Sequence, residues 1–175
     1  MIWFVGYIAA SWLIADFLSG VFHWLEDQYV TSDTPWISKS VGVPNERHHA
    51  KPTEFLSGGY WLRNKTTIIP CAVAVAVVWY FFGLMSCLPI VMLSQANEVH
   101  GWSHQRCCRF VRCLQESEIL CSVRQHAQHH VDPFSRRYCA MSGLLNPVLD
   151  FAGFWQIMEL LMRRLFSLEP KYDTV

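Results

Sequence analysis

The chain has 175 residues with equal numbers of acidic and basic side chains, so its formal net charge is zero. The overall charge therefore identifies no partner, and nothing in the sequence predicts binding to nucleic acid. Hydrophobic residues make up 52% of the chain and charged residues only 16%, which favours a membrane protein. The seven cysteines are odd in number and lack secreted-type spacing, which argues against a disulfide framework and favours reduced thiols facing the cytosol.

The first predicted element is a membrane-spanning helix over residues 2–23, because a span needs ~20 predominantly apolar residues. Asp16 is the one acidic or basic residue in this stretch. A charge in the apolar run, with no basic residue before it, argues against a cleaved signal peptide. A carboxylate inside a span is costly, so Asp16 is predicted to have either a functional role or a structural hydrogen bond.

The second uncharged stretch covers residues 66–97 and is interrupted by Gly83 and Pro89. It is too long for one comfortable span, so we predict a hairpin with spans over residues 66–82 and 88–104. A single span would place His100 and His104 on the opposite side of the membrane from His23. With the hairpin, all Lys and Arg residues fall on the histidine side, and the positive-inside pattern predicts that this side is the cytosol.

The eight histidines form four clusters, and all of them are candidate metal ligands because imidazole is the commonest protein ligand for iron, copper and zinc. The clusters read H-W-L-E-D, R-H-H, H-G-W-S-H and H-A-Q-H-H. Histidines three or four residues apart share one face of a helix, which allows them to bind one ion. The candidate ligands are His23, His48, His49, His100, His104, His126, His129 and His130.

Adjacent histidines such as His48 and His49 point about a hundred degrees apart on a helix. They can therefore serve two metal ions, or one ion and one supporting contact. Asp16, His23 and Asp27 fall on one stripe of the first helix. A carboxylate on that stripe could orient the imidazole or bind metal directly.

The C-terminal region is predicted to form an amphipathic helix over residues 147–167. Its polar residues recur at helical spacing, and the other residues are mostly large and apolar. Two interpretations stay open: the helix lies along the membrane surface, or it packs on the rest of the protein. The polar residues of this helix are Asp150, Gln156, Glu159, Arg163 and Arg164.

Together these elements predict a single domain over residues 1–175 of the all-α class, a helical membrane bundle.

Several ordered motifs resemble those of the Kua/CarF family of lipid desaturases. They are A-D-F-L-S-G-V-F-H-W-L-E-D, R-H-H-A-K-P-T-E-F, N-E-V-H-G-W-S-H, Q-H-A-Q-H-H-V-D-P-F and Y-C-A-M-S-G-L-L-N-P. The resemblance covers residues 15 to about 170. It implies an O₂-dependent membrane desaturase that acts on an intact glycerophospholipid with two iron ions as cofactor. The family includes plasmanylethanolamine desaturase and a plant plastid desaturase of phosphatidylglycerol, so a plasmanyl ether lipid is the first expected substrate and phosphatidylglycerol the second.

The same resemblance implies that all eight histidines are iron ligands and matches Asp27 to the acidic residue after H-W. The chain departs from some relatives at Gln125, where they carry histidine. It also lacks an acidic residue after the R-H-H segment, where Asn64 or water could substitute. Asn97, beside the H-G-W-S-H cluster, is a further residue that could orient or bind a ligand.

The electrons for this reaction must come from a partner such as cytochrome b5 or ferredoxin. The basic residues of the 106–124 region could dock an acidic donor or contact lipid head groups, although the positive-inside pattern also explains them. A multi-pass protein of this kind is expected in the endoplasmic reticulum of a eukaryote or the cytoplasmic membrane of a bacterium. The basic residues proposed to meet the donor or the head groups are Arg106, Arg109, Arg112 and Arg124.

The alternatives to a desaturase are a lipid hydroxylase with the same histidine motifs and a non-enzymatic membrane protein that binds or transports metal.

Overall fold

The fold is described by a computed structural model that covers residues 2–172; the two ends of the predicted domain, at residues 1 and 175, lie outside the described residues. The all-α prediction is confirmed, since the described residues form α-helices, short 3₁₀ and π turns and no strand. The helices are α1 (Ile2–Tyr29), α2 (Val43–Ala50), α3 (Tyr60–Phe82), α4 (Leu88–Leu93), α5 (Ala96–Trp102), α6 (Arg109–Glu116), α7 (Val123–His129), α8 (Asn146–Phe151) and α9 (Phe154–Phe166).

Two helices, α1 and α3, are long and apolar enough to cross a membrane. At 28 and 23 residues they extend for about 42 and 35 Å, against ~30 Å for the hydrocarbon core of a bilayer. Only 6% of the apolar stretch of α3 is buried within the protein. Such exposure of a long apolar helix is unfavourable in water and is expected of a helix that contacts lipid.

The predicted hairpin is present between α3 and α4, although its second arm differs from the prediction. Helix α3 ends at Phe82 and α4 begins at Leu88, as expected, and the Tyr7 hydroxyl donates to the Met85 carbonyl in the turn between them. The prediction of one continuous helix over residues 88–104 was wrong, and the membrane span over these residues stays a prediction. The chain turns at Ser94 and Gln95, so this arm is divided into the short helices α4 and α5.

Helix α3 begins six residues earlier than predicted, at Tyr60. The sequence interpretation began the span after Lys65 and so excluded Arg63 and Lys65, because a charge is unfavourable in a span. In the structure, Arg63 forms an ion pair with Glu98, with Nη2 2.9 Å from Oε2. The charge of Arg63 is thereby compensated within the protein, at a position where α3 is helical.

The predicted helix over residues 147–167 is also divided. Gly153 has a φ of 63°, in the left-handed region that favours glycine, and it separates α8 from α9. Helix α9 packs along the C-terminal half of α1: the ring centroids of Phe154 and Phe17 are 5.5 Å apart, and those of Trp155 and Trp24 are 6.2 Å apart. The interpretation in which this region packs on the rest of the protein therefore holds for one of its faces.

A segment without regular structure, residues 138–142, crosses the buried face of α1. Both carboxylate oxygens of Asp16 accept hydrogen bonds from it, from the amides of Met141 (3.2 Å) and Ser142 (2.7 Å) and from the Ser142 hydroxyl (2.7 Å). Gly20 permits the close approach, because a Cβ atom there would lie 2.6 Å from the sulfur of Cys139. This contact fixes the segment beside His23, which is two turns of α1 beyond Asp16.

Candidate metal centre

The structure brings all eight histidines together at the C-terminal end of α1. Their ring nitrogens, with the carboxylate of Asp27, form two groups whose candidate ligand atoms all lie within 4.8 Å of one another. The five-histidine group consists of His48, His100, His104, His126 and His130. The Asp27 group consists of His23, Asp27, His49 and His129.

In the five-histidine group, the Nε2 atoms of four histidines in or just after α5 and α7 converge. The Nε2 of His100 lies 2.7 Å from that of His126 and 3.0 Å from that of His104, and the Nε2 atoms of His126 and His130 are 3.1 Å apart. Two nitrogens that bind one ion at right angles, each ~2.1 Å from it, are themselves ~3 Å apart. The spacing of these atoms therefore fits ligands that share one metal ion.

His48 provides a further argument for a metal in the five-histidine group. Both of its ring nitrogens are buried, and neither makes a hydrogen bond, although a buried polar atom normally has a partner. Burial lowers the pKa of the His48 imidazole well below its ordinary value, and the nearby rings of His104 and His130 lower this pKa further. Burial likewise lowers the pKa of His130. The rings are therefore neutral, the form in which imidazole binds metal.

Asp27 is the centre of the second group. Its Oδ1 lies 2.8 Å from His49 Nε2, and its Oδ2 lies 3.1 Å from His129 Nε2 and 3.6 Å from His23 Nε2. The side-chain amide of Asn45 donates a hydrogen bond of 2.9 Å to Oδ1. Asp27 is 1% exposed, and this burial of a carboxylate among imidazoles is the arrangement expected where a cation can be held.

Two histidines of the Asp27 group are oriented by backbone carbonyls. His23 Nδ1 lies 3.0 Å from the carbonyl oxygen of Tyr138, and His129 Nδ1 lies 2.9 Å from that of Arg136. A carbonyl only accepts, so each Nδ1 carries the proton and donates it. Each Nε2 is thereby left with its lone pair directed at the group, as a metal ligand requires.

A phenylalanine ring lies against each group. The Phe55 ring, on a 3₁₀ turn over Glu54–Ser57, has its centroid 5.1 Å from that of His48 and 5.6 Å from that of His100. The Phe134 ring lies 4.8 Å from His49. These rings border both groups with apolar surface, which restricts the access of water to them.

Asp16, one of the predicted supporting residues, lies outside both groups. Its oxygens are used by Met141 and Ser142, so it acts on His23 only through the segment that carries the Tyr138 carbonyl. Asp16 and Asp27 share a stripe of α1 as predicted, but they face different neighbours. The structure brings Asp27, and not Asp16, to the histidines.

The three predicted amides make hydrogen bonds to other elements. Asn64 donates to Glu98 Oε2 at 3.0 Å, and its own Oδ1 is buried without a hydrogen bond. Asn97 donates to the Arg63 carbonyl at 2.9 Å, which joins α5 to α3. Gln125 donates to Glu118 Oε2 at 2.7 Å. The contacts found for these amides tie helices and loops together, and their roles as ligands stay predictions.

The four basic residues predicted to meet a donor or a head group are all exposed. Arg112 and Arg124 line one surface cleft together with Glu116 and Glu118. The cleft therefore carries charges of both signs and is not a purely basic surface. The four arginines of the prediction are Arg106, Arg109, Arg112 and Arg124.

Sequence reasoning missed Asn45 and Tyr138. Asn45 is four residues before His49 on α2, so helical spacing alone could have placed both on the face that meets Asp27. Tyr138 contributes its carbonyl to His23, and its hydroxyl accepts a hydrogen bond of 2.8 Å from Gln28. A backbone contact between residues so far apart in the chain leaves no signal in a single sequence.

Comparison with known proteins shows similarity over nearly the whole chain. Residues 12–173 match the model of the lipid desaturase domain. The chain is 28% identical to mouse plasmanylethanolamine desaturase 1 over 95% of its own length, 27% identical to the chloroplastic fatty acid desaturase 4-like 1 of Arabidopsis thaliana over 92%, and 25% identical to the plasmanylethanolamine desaturase of Myxococcus xanthus over 96%. It spans 67%, 57% and 63% of the lengths of these relatives. No solved structure matches the chain.

Proposed function

The chain belongs to the lipid desaturase domain family, and we propose that it is a membrane-bound, O₂-dependent desaturase that introduces a double bond into an intact glycerophospholipid. The observation that carries this proposal is the separation of eight buried or half-buried histidines and one carboxylate into two adjacent ligand groups. Two such groups are what a pair of metal ions would require. A plasmanyl ether lipid is the first proposed substrate and an acyl chain of phosphatidylglycerol the second, supported by the names of the relatives.

Iron is the proposed metal for both groups, because the donors are almost entirely imidazole with one carboxylate, a set that suits iron. The five-histidine group would hold one ion and the Asp27 group the other. When bound, reduced iron supplies the activation of O₂ that lets an unactivated C–H bond be broken. Acid–base catalysis by side chains cannot break such a bond at neutral pH.

The protein's own contribution is orientation, exclusion of water and placement of the substrate. The carbonyls of Tyr138 and Arg136 fix the rings of His23 and His129, with their lone pairs toward the ligand group. Phe55 and Phe134 border the two groups with apolar rings, which limits competing reactions with water.

The proposed location is a multi-pass membrane position with the histidines on the cytosolic side. The apolar surfaces of α1 and α3 support this position, and so does the absence of Lys and Arg before Lys39 and from residue 66 to residue 105. The membrane would be the endoplasmic reticulum in a eukaryote or the cytoplasmic membrane in a bacterium. The Asp27 group takes His23 and Asp27 from the C-terminal end of α1, and the five-histidine group adjoins it, with the ring centroids of His23 and His100 5.2 Å apart. This position disfavours a transporter, whose sites lie near the midplane of the membrane.

Electron supply is proposed to come from a small acidic carrier of the cytochrome b5 or ferredoxin class. Exposed Arg106 and Arg109 are proposed to meet its acidic surface, since opposite charges steer such encounters. Replacing both by glutamine should slow the reaction with the carrier, most strongly at low salt, and leave metal content unchanged. A rate that depends on salt as before would remove these residues from the docking surface.

The proposed function is tested by lipid mass spectrometry of cells with and without the chain. A lipid species lighter by two hydrogens should appear with the active chain and be absent with His100→Ala, produced to the same level. A product heavier by one oxygen would instead identify the enzyme as a hydroxylase. An unchanged lipid profile in the presence of a suitable electron carrier would contradict both activities.

A further inference from the structure

Helix α9 presents apolar side chains both to the protein and away from it. Its inner face carries Trp155, Met158 and Met162, which pack in the cluster that contains Trp24 of α1, and it also buries Glu159, which is 0% exposed. A surface helix in water normally turns its polar residues to the solvent. The side chains exposed on the outer face of α9 are mostly apolar: Ile157, Leu160, Leu161, Leu165 and Phe166.

Exposed apolar side chains also occur on α8 and on α1. In α8, Phe151 is 95% exposed and Val148 is 61% exposed. Helix α1, on which α9 packs, itself exposes Phe22 and Ile14. Apolar side chains are thus exposed on α8, on α9 and on α1, a helix long enough to cross a membrane.

We propose that this outer face of α8–α9, formed by Val148, Phe151, Ile157, Leu161 and Leu165, contacts the acyl chains of the bilayer. The proposal rests on the membrane location proposed above. It gives the protein a third lipid-contacting surface beside α1 and α3.

The bilayer is favoured over a protein partner because of how the charges of α9 are distributed. Arg163 turns inward, where its Nε lies 3.0 Å from Glu169 Oε2. The one charged side chain of the outer face is Arg164, in the last turn. A long cationic side chain near a helix end can reach the lipid head groups while its neighbours remain among the acyl chains.

The test uses the full chain in lipid nanodiscs that hold one chain each, made from phosphatidylcholine with a small fraction bearing a diazirine in the middle of an acyl chain. After illumination, the residues that carry lipid adducts are mapped by peptide mass spectrometry. We expect adducts on Ile157 and Leu161 of α9 as well as on Val73 and Val77 of α3. One chain per disc removes contact with a second copy.

The outcomes separate this proposal from the membrane location itself. Adducts on α3 with none on α9 would overturn the proposal and leave the membrane location intact. Adducts on neither helix would contradict both. Phe110 of α6 is the matched control, because it is 71% exposed but lies between Arg109 and Arg112. We expect fewer adducts on Phe110 than on Ile157, and equal labelling of both would overturn the assignment of α9 to lipid.

Discussion

His48 and His49 are neighbours in α2, yet their rings join different ligand groups. His48 belongs to the five-histidine group and His49 to the Asp27 group, with the two ring centroids 5.9 Å apart. His129 and His130 divide in the same way, with centroids 5.3 Å apart. Because successive residues on a helix differ in direction by about 100°, one short helix can serve two sites. These two pairs of adjacent histidines hold the two ligand groups next to each other.

Asp27→Asn should reduce metal binding at the Asp27 group while the chain still folds. The substitution keeps the shape of the side chain but removes the only carboxylate of either group, which is 1% exposed. We expect a loss of one metal ion of the proposed pair and a fall in desaturation of at least ~10–100-fold. Elemental analysis and lipid product formation measure the two effects. Asp33→Asn, an exposed acid in the following loop, is the control, and equal metal content in both variants would contradict the assignment.

Asn45→Ala should lower activity through Asp27. The Asn45 amide donates to the same oxygen that meets His49, so its loss leaves the carboxylate less well oriented. Losing such a supporting hydrogen bond typically costs ~10–100-fold in metal affinity or activity. A metal titration should show weaker binding at one of two sites, and Asn45→Asp should be worse because it places a second carboxylate beside the first. Unchanged titrations for both variants would show that Asn45 does not position Asp27.

Asp16→Leu should act on stability more than on metal binding. It leaves the buried amides of Met141 and Ser142 without their acceptor, at about 1–3 kcal/mol for each unsatisfied group. Each kcal/mol corresponds to about 2–4 °C in the Tm of a chain of this size. Thermal unfolding in detergent should therefore show a clear decrease, with metal per folded chain retained. Loss of metal at an unchanged Tm would instead place Asp16 at the metal centre.

The carboxylates of Asp16 and Asp27 on α1 show how much of the site can be predicted from the sequence alone. Helical spacing correctly predicts that Asp16 and Asp27 lie on the stripe of His23. Helical spacing cannot say which of the two carboxylates contacts the other histidines, because that depends on which segments pack against α1 at each position. The segment around Ser142 packs against α1 at Asp16, and helices α2 and α7 pack against it at Asp27. Both contacts join residues more than fifteen positions apart in the chain.

The divided helices mark a second limit. The helix is interrupted at Ser94 and Gln95 without a glycine or proline there, so the sequence pattern predicts one continuous helix. At Gly153 the signal was present, but the polar spacing on both sides favoured one helix. The same spacing suggested a polar face in water, whereas Glu159 is buried. A periodic pattern shows that a helix has two faces and does not say which of them meets the protein.

Reporter fusions or labelling of introduced cysteines should place residues 40–60 and 106–140 on one side of the membrane and the turn over residues 83–87 on the other. The contact of Tyr7 with Met85 puts that turn at the N-terminal end of α1, away from the histidines. Thr53→Cys and Met85→Cys are suitable positions for a charged, impermeant thiol reagent after the native exposed cysteines have been replaced by serine. Labelling of both from the same side would contradict the proposed topology.

The most direct test of the account is the metal content of the full chain, purified in detergent after reconstitution with iron under reducing conditions. The two ligand groups predict about two iron ions per chain, because eight imidazoles and a carboxylate exceed what one ion can bind. His104→Ala should bind less iron while remaining folded, and Gln105→Ala, its exposed neighbour, should bind as much as the unmodified chain. One ion per chain, or a His104→Ala variant with full iron content, would contradict the two-ion centre.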